Sequence, residues 1–158
     1  MKRIAIVAML LCMASFIGCG GSSSTDCTAA EEAAIRSFDS FGTIIEDATI
    51  QQCITQVQTD CPCPVSGNVV VDLAESTLTW TTCTAADSSV FTGTMTASAD
   101  LTTFTVNMTT FGECTNVVST GITPNTCGGQ ITAVCGGQNL TCTLVEDATG
   151  GCTLECTC

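Results

Sequence analysis

Fourteen cysteines and 15 acidic side chains are the groups in this 158-residue chain whose types and spacing bear on chemistry. The chain has no His and no Tyr. That removes Ser-His-Asp and Cys-His nucleophile pairs, imidazole metal ligands and an imidazole pH switch. Cys61-x-Cys63 and Cys156-x-Cys158 have the close spacing of thiolate metal sites. Zinc sites, however, carry CxxC knuckles at two places, and neither pair here is matched by one. A redox-active thiol needs a cation or a helix start to lower its pKa, and Arg36 is the one cation beyond Lys2 and Arg3. Paired carboxylates hydrolyse glycosides in some enzymes. The clustered acids with a repeated pattern are Glu46-Asp47-Ala48-Thr49 and Glu146-Asp147-Ala148-Thr149. The first suits a helix N-terminus and the second a turn, and neither shows the Asp/Asn alternation of a calcium loop. Small size, few aromatics and no cleft-forming insertion weigh against an enzyme. No catalytic, cofactor-binding or metal-ligating set is expected, and no cofactor.

Charge and compartment narrow the classes further. Three basic residues cannot neutralise a phosphate backbone, so nucleic acid is not an expected partner. About nine per cent Cys marks either a disulfide scaffold in an exported chain or a reduced, thiolate-rich metal binder in the cytosol. The N-terminus decides between them.

Lys2 and Arg3 form a positive n-region ahead of the apolar run at 4–17, IAIVAMLLCMASFI. That run is shorter than the roughly 20 residues a membrane span needs and fits a signal h-region. It ends in Phe16-Ile17-Gly18-Cys19, followed by Gly20-Gly21-Ser22-Ser23-Ser24. The segment resembles the precursors of bacterial lipoproteins, whose lipobox places a small residue before a Cys that is acylated and becomes the mature N-terminus. Gly18 and Cys19 fit that pattern, while Phe16 stands where the family usually has Leu. The resemblance implies a signal peptide over 1–18 and lipidation at Cys19. It also implies a Gly/Ser tether over 19–26 that lets a domain clear the membrane. Gly20 after the lipidated Cys implies the outer membrane rather than the inner. Cys12 would leave with the signal peptide. Twelve candidates for disulfides then remain: Cys27, Cys53, Cys61, Cys63, Cys83, Cys114, Cys127, Cys135, Cys142, Cys152, Cys156 and Cys158. The one remaining cation, Arg36, would face all 15 acids.

Behind the tether, residues 27–60 form a helical segment. Thr28-Ala-Ala-Glu31 has a capping-box pattern, and Ala30, Ala34, Ser37, Phe38 and Phe41 follow at helical spacing. Gly42 predicts a stop. Thr43-Ile-Ile-Glu46 predicts a second cap, with Ile50, Cys53, Ile54 and Val57 as the stripe behind it, although the many β-branched residues there also suit a strand. Cys27 and Cys53 bracket the helices and would staple them.

Cys61-Pro62-Cys63-Pro64 cannot continue a helix, and residues 65–158 form a Cys-rich antiparallel β region that packs with 27–60 as one compact domain. From Gly67 the apolar period becomes two. Val69–Leu73 and Leu78-Thr-Trp80 predict strands. Residues 91–97 and 103–109 predict a hairpin around a turn at Ser98–Leu101, with Phe91, Met95, Phe104, Val106 and Met108 on one face and Thr on the other. Thr ranks resemble those of some ice-binding proteins, but the strict repetition of those proteins is absent, and Thr is in any case a good strand former on a wet face. The motif Cys127-Gly-Gly-Gln recurs as Cys135-Gly-Gly-Gln and predicts hairpins with Gly-Gly turns. Pairing Leu144 with Leu154 would set Cys142 opposite Cys156, within reach of one disulfide.

The expected fold is α+β or mainly β: a short N-terminal helical segment, then a disulfide-rich antiparallel β-meander or sandwich exposing a Thr-rich, acidic surface. With few aromatics for a core, the cross-links should carry much of the stability. The expected function is that of an acidic, membrane-anchored lipoprotein of the bacterial envelope with a non-catalytic structural or binding role. Its protein or cation partner is not specified by these residues. The alternatives are a metal-ion binder, thiolate or weak calcium, and a small carboxylate-based hydrolase.

Overall fold

A computed structural model describes residues 28–56, 59–100, 102–123, 126–146, 148 and 152–158. The signal-like segment, Cys19, the tether and Cys27 lie outside the described residues, as do Val57 and Asp147.

Two helices precede the sheet: α1 (Thr28–Glu46) and α2 (Ala48–Thr55). Among the described residues neither is long and apolar enough to cross a membrane. Three local expectations are corrected. Thr28 is the first helical residue of α1 rather than its cap. Gly42 does not stop α1, which continues to Glu46 because Ile44 and Ile45 bury themselves against the core. That apolar burial outweighs the roughly 1 kcal/mol that Gly costs in a helix interior. Thr43 is not a cap either: its hydroxyl donates to the Ser40 carbonyl within the helix (2.7 Å). The cap of α2 is Asp47, whose carboxylate accepts from the amides of Thr49 (2.9 Å) and Ile50 (3.2 Å).

Nine strands follow. They are β1 (Asp60–Pro62), β2 (Ser66–Asp72), β3 (Thr77–Thr84), β4 (Val90–Ala97), β5 (Phe104–Phe111), β6 (Cys114–Thr123), β7 (Gly128–Cys135), β8 (Gln138–Glu146) and β9 (Cys152–Thr157). They form one open sheet in chain order, each strand antiparallel to the next. The alternation is a meander, and no second sheet forms a sandwich among the described residues. Pro62 sits in the three-residue edge strand, where its missing amide costs no ladder bond. The Phe91–Ala97 and Phe104–Thr109 segments pair as expected, with Ala97 opposite Phe104.

The two Gly-Gly motifs separate. Gly136-Gly137 makes the expected two-residue turn, with positive φ at both positions (56° and 81°) and Cys135 opposite Gln138. Gly128-Gly129 instead lies inside β7, where the backbone of β6 comes so close that a Cβ on Gly129 would stand 2.7 Å from the Gly121 carbonyl oxygen.

The meander places its alternate hairpin turns at one end of the sheet, and α1 runs along that end. A 19-residue helix is about 28 Å long and six strands span about 24 Å, so one helix reaches from β8 back to β3. Its start lies against the β7–β8 turn, with the Ala29 carbonyl oxygen 3.4 Å from a Cβ built on Gly136. Its middle meets the β5–β6 turn through Ser37, and its later part meets the β3–β4 turn through Ser40. Then α2 continues to β1, to which Cys53 is bonded through Cys61.

The core is the layer between helices and sheet. Phe41 is its hub, with ring centroids 5.0 Å from Trp80, 5.2 Å from Phe91 and 5.0 Å from Phe111. Ile44, Ile45, Ile50, Leu78, Met95 and Met108 are almost fully buried around this cluster. The indole N–H of Trp80 lies inside it with no hydrogen-bond partner.

Candidate functional surface

Among the described residues, ten cysteines are held in cross-links. Cys53 is bonded to Cys61, Cys63 to Cys83, Cys114 to Cys135 and Cys142 to Cys156. Cys127 and Cys158 are half-cystines as well. The Cys61-x-Cys63 pair splits between two bridges: both side chains are buried on the same side of the chain, Cys61 bonded to Cys53 of α2 and Cys63 to Cys83 of β3. Cys53 is not stapled to Cys27: it closes a loop of eight residues onto β1. The Leu144–Leu154 register is found, and Cys142 and Cys156 stand opposite each other, bonded across 4.0 Å between Cα atoms. Cys114 and Cys135 are also a cross-strand pair. Bridges at this density point to an oxidising compartment outside the cytoplasm.

Ser37, which the sequence offers as part of the helical stripe, and Ser40, which it does not single out, turn out to be fasteners. Ser37, 1% exposed, donates its hydroxyl to the Ala33 carbonyl (2.7 Å) and accepts from the Glu113 amide (2.9 Å). Gly112 beside it has φ +60°, and a Cβ there would stand 2.7 Å from the Ser37 hydroxyl oxygen. Ser40 donates to the Asp87 carboxylate (3.0 Å). Outside the buried contact, the Arg36 guanidinium grips the Glu113 carboxylate with two bonds, 2.6 and 2.8 Å. The Glu113 pKa lies below the ordinary value because it accepts from Arg36, and that of Arg36 lies above because of the same bonds. Asp87 is lowered by its bond from the Ser89 amide and then by Ser40, and Asp100 by Ser98 and then Thr102. Each of these carboxylates organises a turn or a helix contact.

The predicted Thr-rich, acidic surface divides into two surfaces. Acids lie on the helices (Glu31, Glu32, Asp39, Glu46), in turns (Glu75, Asp87, Asp100, Glu113) and toward the outer strands (Asp60, Asp72, Glu146, Glu155). Strands β3 to β7 carry no Asp, Glu, Lys or Arg. The sheet face turned away from the helices is therefore uncharged across its middle. One row crosses the whole sheet: Asp60, Val70, Thr79, Thr94, Asn107, Val118, Thr132, Thr141 and Thr157, each opposite the next. A shorter row holds Asp72, Thr77, Thr96 and Thr105. Several of these hydroxyls donate back to a neighbouring strand: Thr105 to the Thr96 carbonyl, Thr109 to Thr92, Thr132 to Val118 and Thr157 to Thr141 (3.2–3.4 Å).

No other constellation of chemistry-bearing groups assembles among the described residues. Among the described residues, no three His, Cys, Asp or Glu side chains are placed to share a metal ion. Asp47 of the first repeated acidic cluster caps α2, while Glu146 of the second ends β8. The seam between α1 and β5–β9, lined by Ala34, Phe38, Val117, Ile131, Leu140 and Leu154, has no polar lining to orient a ligand. No protein-family model, curated protein or solved structure matches this chain.

Proposed function

We propose that this protein is an acidic lipoprotein of the bacterial envelope, anchored through acyl chains on Cys19 and displaying a disulfide-stabilised domain with a non-catalytic structural or binding role. The observation that carries the reading is the joint pattern of an export-type N-terminus ending in Gly18-Cys19 and a domain in which ten of the described cysteines are committed to bridges. Disulfides form and persist after export, so the two features support one another. Residues 20–26 act as the tether, and Gly20 favours the outer membrane. The uncharged β3–β7 face is the natural contact surface, since acids elsewhere repel anionic lipid and anionic neighbours. Replacing Cys19 with Ala tests the anchor. The wild-type protein is expected in the membrane fraction and labelled by a clickable fatty acid, and the variant unlabelled. Equal labelling of both would refute the assignment of Cys19.

A further inference from the structure

We infer that Cys158 is bonded to Cys27, so that one disulfide clasps the start of α1 to the end of β9. Cys158 is a half-cystine, and so is Cys127. Eight other cysteines are already joined in pairs among themselves. Strand geometry removes two of the remaining partners, because a bridge tolerates at most about 7 Å between Cα atoms. Cys152 begins β9, and the strand steps from it to Thr157 already span about 17 Å. Cys127 is no better placed. Thr157, Thr141 and Thr132 stand in one row across β9, β8 and β7. Cys127 precedes the start of β7, which lies about 13 Å along the strand from that row, and it is two strands over from β9. Since β9 runs parallel to β7, Cys158 is on the far side of the row. What remains lies ahead of α1: Cys12, Cys19 and Cys27. Setting aside the first two rests on the lipoprotein reading, which sends Cys12 away with the signal peptide and acylates Cys19. Position favours Cys27 independently. The first turn of α1 packs on the β7–β8 turn, with the Ala29 carbonyl oxygen 3.4 Å and the Ala30 Cα 3.6 Å from a Cβ built on Gly136. Gln138 closes that same turn, and the exposed Cys158 has its Sγ 3.8 Å from the Gln138 Oε1. Both chain ends therefore meet at one hairpin, and Cys27 is a single Cα step, about 3.8 Å, from Thr28. On the anchor reading, the tether then pulls on a cross-linked corner of the sheet rather than on the first turn of α1 alone.

The test is disulfide mapping of the full protein taken from cells with its thiols blocked. Digestion with pepsin in acid keeps thiolate, and with it disulfide exchange, negligible. Fragmentation of the linked peptides should join the Cys27 peptide to the one ending in Cys158. Cys158 linked to Cys127 or Cys152 overturns the clasp and leaves the anchor reading standing. Thiol counts on variants give a second readout: Cys27→Ser and Cys158→Ser should each gain one alkylatable thiol, and the double variant none. Two new thiols in the double variant would mean different partners and overturn the proposal. Cys19→Ala separates the two readings. A Cys158 that stays bonded to Cys27 there supports the clasp whatever becomes of the anchor. A Cys158 that turns alkylatable there assigns its bridge to Cys19 and refutes both.

Discussion

At the residue scale, the side chains that matter most join helix to turn. Ser37 is legible in the sequence only as a small residue on a helical stripe; that its hydroxyl caps the Glu113 amide depends on a contact 76 residues away, which no local pattern encodes. Ser37→Ala leaves that amide without its partner and should destabilise the fold by about 1–3 kcal/mol. Chemical denaturation measures this, and an unchanged midpoint would contradict the clamp. Acid dependence follows from the turn carboxylates. Asp87, Asp100 and Glu113 have folded pKa values below their ordinary ones, so the folded state takes up these protons less readily than the unfolded chain. Their contribution is complete above the ordinary carboxylate range, about pH 4, and is lost as pH falls through the depressed values. Asp87→Asn should therefore flatten the acid limb of a stability–pH curve, and a limb of equal steepness would count against this account of the turn. Arg36–Glu113 is exposed and adds little on its own.

Elements were legible where the apolar period was long and local. The stripe of α1, the paired Thr/apolar strands β4 and β5, and the β8–β9 register all follow from alternation or helical spacing alone. The boundaries were not legible. Gly42 and Thr43 read as stop and start because Gly ends helices and Thr begins them, yet burial of Ile44 and Ile45 carries α1 through both. Gly128-Gly129 and Gly136-Gly137 share one motif and do different work, since backbone crowding against β6 exists only in the folded sheet. The cross-links follow the strands: Cys114 and Cys135 face one another because β6 and β7 are neighbours. Their loop of 21 residues predicts that the Cys114→Ser/Cys135→Ser double variant loses about 2–4 kcal/mol. Thermal melting checks this, and a loss well under 1 kcal/mol would show that the bridge is redundant with strand pairing.

For the whole molecule, the sequence gives an acidic, Cys-rich chain but does not reveal that the charge is segregated. Hairpin order sends acids to turns and outer strands and leaves the central strands neutral, an arrangement visible only once each strand has its neighbours. Covered on one face by α1 and α2, the sheet leaves its other face uncharged across the middle strands, β3 to β7. The reading of its role rests on where it is held and how it is closed. Intact mass spectrometry of the protein taken from membranes, before and after reduction with alkylation, addresses both together. The account predicts a chain beginning at an acylated Cys19, with the twelve later cysteines unreactive until reduced and then alkylated as six bridges open. An unmodified chain that keeps residues 1–18, or one whose cysteines alkylate without reduction, would contradict it.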